Sequence, residues 1–185
     1  MSIIAVISSP RKGGFGERLF MRAVEGARES GKEVEIFRLN DLNIRQCQNC
    51  ESCRGNDGHC VMKDDISPIL ERIRQSDGLI VSGQIRFARI DGALKTFADR
   101  FYSFMTDRST VLDGGKKLIT ILTAGADETN VEKESAEFER MMNQYFLFEP
   151  VGRITYLSYL MPADSDFIDE SPLMEAYEAG KKMRS

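Results

Sequence analysis

The chain has 185 residues, of which 42% are hydrophobic and 29% charged, with a net charge of −4 and a mean hydropathy of −0.31. This is the balance of a soluble globular protein: no apolar run approaches the ~20 residues that span a bilayer. A mildly acidic chain without a Lys/Arg cluster also lacks the cationic face that nucleic acid requires. No Pro-, Gly- or Ser-rich linker divides the sequence, so we expect a single domain over 1–185, cytoplasmic, with neither nucleic acid nor membrane as partner.

Ile3 to Ile7 is an unbroken apolar run of strand length, suited to a central parallel strand covered on both faces. It is short and has no basic leader, which reads as a strand rather than a signal peptide. A loop from Ser8 to Gly16 follows, then a helical pattern with Leu19, Phe20, Ala23, Val24 and Ala27 on one face and Gly31 as its stop. Strand, glycine-bearing loop and helix in that order make an anion site, because loop N–H groups and the positive helix end converge. Ser9 adds a hydroxyl donor and Arg11 a charged fork. The loop is neither a G-x-G-x-x-G nor a Walker sequence, and a tight turn would use the same glycines for backbone geometry alone.

Val34 and Ile36 alternate with Glu33 and Glu35, the pattern of an edge strand with one wet face. All four cysteines then fall in one segment at about 44–63: Cys47, Cys50, Cys53 and Cys60. Thiolates two residues apart can turn inward on one tight loop, gripping three corners of a compact metal centre while Cys60 closes the fourth. Structural zinc usually takes two separated C-x2-C knuckles, so the spacing favours a 4Fe-4S cluster. Zinc, a redox dithiol and unmetallated cysteines remain as other readings. Disulfides do not suit the expected compartment, and a Gly-, Asn- and Asp-containing segment is not core packing. His59, the single histidine, is read as an exposed loop residue.

Asp64 and Asp65 open the next helix, with Pro68 in its first turn and Ile66, Ile69, Leu70 and Ile73 on one face. Gly78 to Ser82 is a third strand that delivers a loop from Gly83 to Ile90. Asp91 caps a helix whose face of Leu94, Phe97, Phe101 and Phe104 is core rather than a cofactor box. Leu118 to Leu122 is a fourth strand ending in Thr123 to Ala126. A helix with Phe138, Met141, Met142 and Tyr145 follows, then a fifth strand around Ile154 to Leu160 and a last helix capped by Ser171 and Pro172. Strands alternating with helices predict an α/β fold, a parallel sheet wrapped on both faces. Three post-strand loops then share one edge with the cysteine segment, forming a crevice for a phosphate-bearing planar cofactor.

Three stretches together resemble a known family: Ser9 to Gly14, the compact cysteine set, and Leu94-Lys95-x-Phe97-x-Asp99-Arg100. They are similar to the iron-sulfur flavoproteins of anaerobic archaea and bacteria, within the NAD(P)H-dependent FMN reductase group, over Ile3 to about Leu122. The resemblance implies a flavodoxin-like three-layer sandwich with strand order 2-1-3-4-5, and an electron-transfer oxidoreductase using FMN and a 4Fe-4S cluster. FMN would lie on Ser9, Arg11, Lys12, Gly13, Gly14, Phe15 and Gly16, on Gln84, Ile85, Arg86 and Phe87, and on Thr123, Ala124 and Gly125. The cluster would take Cys47, Cys50, Cys53 and Cys60, and no side chain need act as catalytic acid or base. NAD(P)H as donor, a ferredoxin-like carrier or small-molecule acceptor, and a homodimer or homotetramer belong to the same implication.

The chain departs from the family at the flavin. Phe15 and Gly16 stand where Asn and Thr or Ser are usual, and Gln84-Ile85-Arg86 where Pro-Val-Tyr is usual. Phe87 is then the aromatic surface on offer, with Arg86 or Arg89 as partners for an anionic flavin. Two other functions fit the same letters: a nicotinamide-dependent FMN or quinone reductase without a cluster, and a non-enzymatic metal-binding or redox-sensing protein.

Overall fold

The computed structural model describes residues 2–107, 109–125, 128–158 and 170–184. Because Ile3 to Ile7 are apolar on both sides, the first strand, β1 (Ser2–Ile7), sits inside the sheet, with Ile3 to Ile7 fully buried. After it come α1 (Phe15–Glu29), the edge strand β2 (Glu33–Arg38), α2 (Ile66–Gln75), β3 (Gly78–Arg86), a two-residue β4 (Arg89–Ile90) and α3 (Gly92–Asp99). The chain continues through β5 (Lys117–Ala124), α4 (Glu128–Phe146), β6 (Glu149–Leu157) and α5 (Glu170–Lys181). The five long strands are parallel in the order β2-β1-β3-β5-β6, the flavodoxin-like arrangement, and β4 pairs antiparallel with the end of β3.

The period-two alternation of strand side chains divides the core. On one face Ile3, Ala5, Ile7, Ile80, Ile119 and Ile121 meet α1 and α5. On the other, Ile4, Val6, Leu79, Val81, Leu118 and Leu122 meet the apolar stripes of α2, α3 and α4. Asp91 caps α3 as expected, its carboxylate accepting from Leu94 N at 3.0 Å. Gly31 follows α1 with φ +87°, the left-handed turn that ends a helix at least cost with glycine. Among the described residues no helix is long and apolar enough to cross a membrane.

Several boundaries differ from those expected. Phe15 and Gly16 belong to the first turn of α1, not to the loop before it. The stretch from Gly83 is not a loop: β3 runs on through Arg86 because β5 extends beside it, pairing Gln84 with Thr123 and Ile85 with Ala124. It then reverses at Phe87 and Ala88, both left-handed, with φ +51° and +60°. The helix stripe that starts at Leu94 tightens into a 3-10 turn over Arg100–Phe104. Of the residues named for the helix now seen as α4, Tyr145 is 52% exposed, while Phe138 and Met142 are buried together with Phe146. The fifth strand begins earlier, at Glu149, and its expected end at Leu160 lies outside the described residues, as does Ala126. Ser171 and Pro172 lie within the first turn of α5, after Glu170.

Candidate functional site

Where the carboxyl ends of β1, β3 and β5 come together, a cleft of about 380 Å³ opens. Its lining is Pro10, Arg11, Gln84, Ile85, Arg86, Thr123, Ala124, Gly125 and Ser158. This is the edge at which parallel α/β sheets take ligands, and the volume lies within the ~300–1,000 Å³ of small-molecule sites. A polar network holds its floor. Ser8 Oγ donates to Asp91 Oδ2 at 2.5 Å, and Gln84 N donates to the same oxygen at 2.9 Å. Gln84 Nε2 donates to Ser9 Oγ at 3.2 Å, and Arg86 donates to Gln84 Oε1 at 2.7 Å. Gly83 sits under this network without room for a side chain: a Cβ there would lie 2.6 Å from Leu94 Cδ2 and 2.9 Å from Ser8 Oγ.

Of the residues expected at a flavin, Arg11, Gln84, Ile85, Arg86, Thr123, Ala124 and Gly125 line this cleft. Ser9 is buried beside it through Gln84. The others are placed differently. Phe15 turns inward and packs its ring on Tyr156 at 5.2 Å, leaving only its backbone at the helix start. Phe87 is fully exposed at the hairpin tip and does not line the cleft. Lys12 is exposed. Gly13, with φ +73°, donates its N–H to the Glu17 carboxylate, which is also paired with Arg38. Glu17 therefore acts as an internal anion at the start of α1. Arg89 points away from the cleft, to the buried carboxylate of Glu134 at 2.9 Å.

The cysteine segment is an excursion closed at its neck. Asp65 Oδ2 accepts from Asn43 N at 2.7 Å, and Asp64 Oδ2 accepts from Arg45 N at 2.9 Å, tying both ends of the excursion together. Between these ends, Asn49, Glu51, Asp57 and Gly58 all have positive φ, which folds the segment tightly on itself. It rests on the body through Arg54, whose guanidinium donates to Asp107 at 2.7 Å and Tyr102 Oη at 3.0 Å. Gly58 approaches so closely that a Cβ would lie 2.8 Å from Ser103 O. His59 is exposed, with Nδ1 2.8 Å from Glu71 Oε1.

The four cysteines are unbridged, with Cys53 buried, Cys47 and Cys60 half-buried and Cys50 exposed. Burial pushes the Cys53 thiol up, and negative charge on Cys60, Cys47 and Cys50 adds to the rise, so the four sulfurs sense one another. Bonds from the Ser52 backbone N–H and hydroxyl hold Cys50 below the usual thiol range. Among the described residues, no three His, Cys, Asp or Glu side chains are already gathered around a metal position.

A second hollow, of about 410 Å³, lies at the opposite ends of the strands, lined in part by Lys32, Asp77, Lys116 and Lys117. It is far from the strand ends that carry the cleft. Its buried Lys116 donates to the carbonyls of Arg74 and Ser76, at 3.0 and 2.5 Å, and Lys32 pairs with Asp77. These charges tie chain segments together.

The role of Asp91 in the cleft floor, the internal anion Glu17 and the lining by Ser158 were not expected from the letters. Asp91 carried a signal only as a helix cap. Ser158 follows β6 and reaches the cleft by donating to Ala124 O, a pairing visible only in three dimensions.

A family model described as NADPH-dependent FMN reductase matches residues 1–137. The chain is 34% identical over 100 residues to an iron-sulfur flavoprotein of Methanosarcina thermophila, covering 54% of this chain and 52% of that one. It is 32% identical over 102 residues to one of Archaeoglobus fulgidus, covering 54% and 48%. A third iron-sulfur flavoprotein, from Methanocaldococcus jannaschii, is 25% identical over 155 residues, covering 82% and 75%. The chain thus spans about half the length of the first two relatives. In fold it is similar to an azoreductase from Bacillus anthracis, with TM-score 0.75 and 15% identity over 98% of this chain and 100% of that one. It is also similar to an NAD(P)H:quinone oxidoreductase from Methanothermobacter marburgensis, with TM-score 0.69 and 19% identity over 99% and 96%.

Proposed function

Since the chain belongs to the NADPH-dependent FMN reductase family, we propose that it is an FMN-dependent oxidoreductase whose four cysteines carry a 4Fe-4S cluster. The observation that carries this reading is one conjunction. A polar cleft lies at the carboxyl ends of the strands, and the segment that leaves the sheet after β2, tied at its neck, holds all four cysteines. The relatives named iron-sulfur flavoproteins support it.

The residues fit both groups. At the flavin, Arg11 and Arg86 bring positive charge to the cleft, and Gln84 presents an amide held from both sides. Gly16 is buried where α1 starts, and a Cβ there would make ordinary contacts with Thr123 at 3.5 Å and Ser82 Oγ at 3.8 Å. Backbone N–H groups at a helix start favour a phosphate. At the cysteines, four thiolates on a chain turned by left-handed residues make the donor set of a cubane. When bound, the flavin would exchange electrons two at a time and the cluster one at a time. The chain itself would position the flavin, keep its floor polar through Asp91, Ser8 and Gln84, and seat the cluster beside Arg100. NAD(P)H would be the donor. A ferredoxin-like carrier or a small molecule would be the acceptor, in a cytoplasmic homodimer or homotetramer.

A second reading keeps the nicotinamide-dependent FMN or quinone reductase and omits the cluster. It is favoured by the sulfurs not being gathered around one position. One experiment separates the two: a visible spectrum of anaerobically purified protein, with iron, zinc, sulfide and FMN assayed on the same sample. Flavin bands with roughly four iron and four sulfide per chain are expected. Flavin with zinc or no metal would select the second reading, and protein without flavin would overturn both.

The internal anion makes a separate prediction. If the FMN phosphate uses the α1 start, Glu17 competes with it for Gly13 N–H. Glu17→Gln is then expected to bind FMN several-fold more tightly, read by quenching of flavin fluorescence. Unchanged affinity would place the phosphate elsewhere.

A further inference from the structure

Among the described residues Arg100 is the largest fully buried side chain, and it does not line the cleft described above. Burying a guanidinium costs several kcal/mol unless its charge and N–H groups are matched. Asp64 matches the charge, with Nη1 to Oδ2 at 2.5 Å and neither side chain exposed. The Nη groups also reach the neck of the cysteine segment and the first turn of α2, while the buried Nε has no partner among the described residues. Nη1 also donates to Arg45 O at 3.0 Å, at the entry of the neck, while Nη2 donates to Cys60 Sγ at 3.3 Å and Ser67 Oγ at 2.9 Å, at its exit. Ser67 Oγ in turn donates to Met62 O. An apolar side chain would close the same neck without burying a charge. A cationic N–H aimed at sulfur is strongest when that sulfur is anionic, as a metal-bound thiolate is.

We infer that Arg100 is a positioning residue for the cysteine centre, clasping both ends of the segment and presenting Cys60 Sγ, through one N–H, as the ligand that closes the site. The inference rests on the reading of these cysteines as cluster ligands. Its consequence is electronic as well as geometric. Adding one electron to a thiolate-bound cluster increases the negative charge on its sulfurs, and a donor already aimed at one of them lowers the cost of that charge. The Arg100 contact therefore raises the reduction potential and slows loss of iron.

The test compares wild-type protein, Arg100→Lys and the paired variant Asp64→Asn with Arg100→Met, all purified anaerobically with iron and sulfide assayed. Arg100→Lys keeps the charge, but one ammonium cannot span the four acceptors. The paired variant removes both buried charges together, so folding does not depend on an orphaned ion. Dithionite titration followed by electron paramagnetic resonance is expected to show more negative midpoints in both variants. A chelator is expected to strip iron on the order of 10-fold faster. A variant that melts like the wild type yet takes up no iron supports the inference in its strongest form. Fully loaded variants with wild-type potentials and iron retention would overturn the role of Arg100 and leave the cluster reading intact. Wild-type protein without iron and sulfide would overturn the cluster reading, and this inference with it.

Discussion

Asp64→Ala is expected to destabilise the fold by about 3–5 kcal/mol, the usual cost of removing one partner from a buried ion pair. Asp64 accepts from Arg100, from Arg45 N and from Ser67 N, at 2.5 to 3.2 Å. Alanine would leave the guanidinium buried opposite nothing and release the entry of the cysteine segment. Guanidinium chloride midpoints with unchanged slopes would report the loss. Joint replacement of Asp64 and Arg100 by Asn and Met is expected to recover most of it. A single Asp64→Ala loss below about 1 kcal/mol would mean that the pair is solvated and does not act as a clasp. The same pair sets a pH dependence. Burial alone would raise the Asp64 carboxyl, but bonds from Arg100, the Arg45 N–H and Ser67 outweigh it and hold the group below its ordinary value. A carboxyl depressed on folding contributes its full stability above the unfolded pKa of about 4 and loses it as pH falls through the folded value. The gap between wild type and Asp64→Asn should therefore be constant near neutrality and close in acid.

Gly180→Ala and Gly26→Ala are expected to destabilise by about 1–3 kcal/mol each, as overpacked contacts do. The two residues face each other where α1 and α5 cross. A Cβ on Gly180 would overlap the Ala23 carbonyl oxygen and lie 2.8 Å from Ala27 N; one on Gly26 would overlap the Tyr177 carbonyl oxygen and lie 3.1 Å from Gly180 Cα. Because these obstacles are backbone, they cannot move aside as a side chain would. An exposed helical glycine replaced by alanine gains roughly 0.5–1 kcal/mol, so the sign of the measured change decides whether the helices touch this closely. The double variant should cost less than the sum, because the first substitution already separates the helices. Thermal melts that rise in either single variant would contradict the contact.

The parallel sheet was legible because hydrophobic runs and alternation report burial directly, whereas its strand order came from the family resemblance. Ile3 to Ile7 is buried on both faces, whereas Val34 and Ile36 sit in an edge strand. The glycine-bearing loop, the Asp91 cap and the clustering of four cysteines were equally local, and so visible in the letters. Side-chain direction was not. Phe15 enters the core because the helix starts two residues earlier than the loop glycines suggest, and Phe87 leaves the cleft because β3 continues along β5 and reverses at a tight hairpin.

Arg100 shows the same division. Its presence in the stretch from Leu94 supported a family resemblance, but the acceptors of its guanidinium, at residues 45, 60, 64 and 67, lie 33 to 55 positions away. Local propensity and spacing are properties of neighbouring residues, so they determine the elements, their order and the donor set at the cysteines. Which charge meets which sulfur, and which aromatic ring faces the cleft, depends on pairing between distant segments. Only the folded sheet brings those segments together.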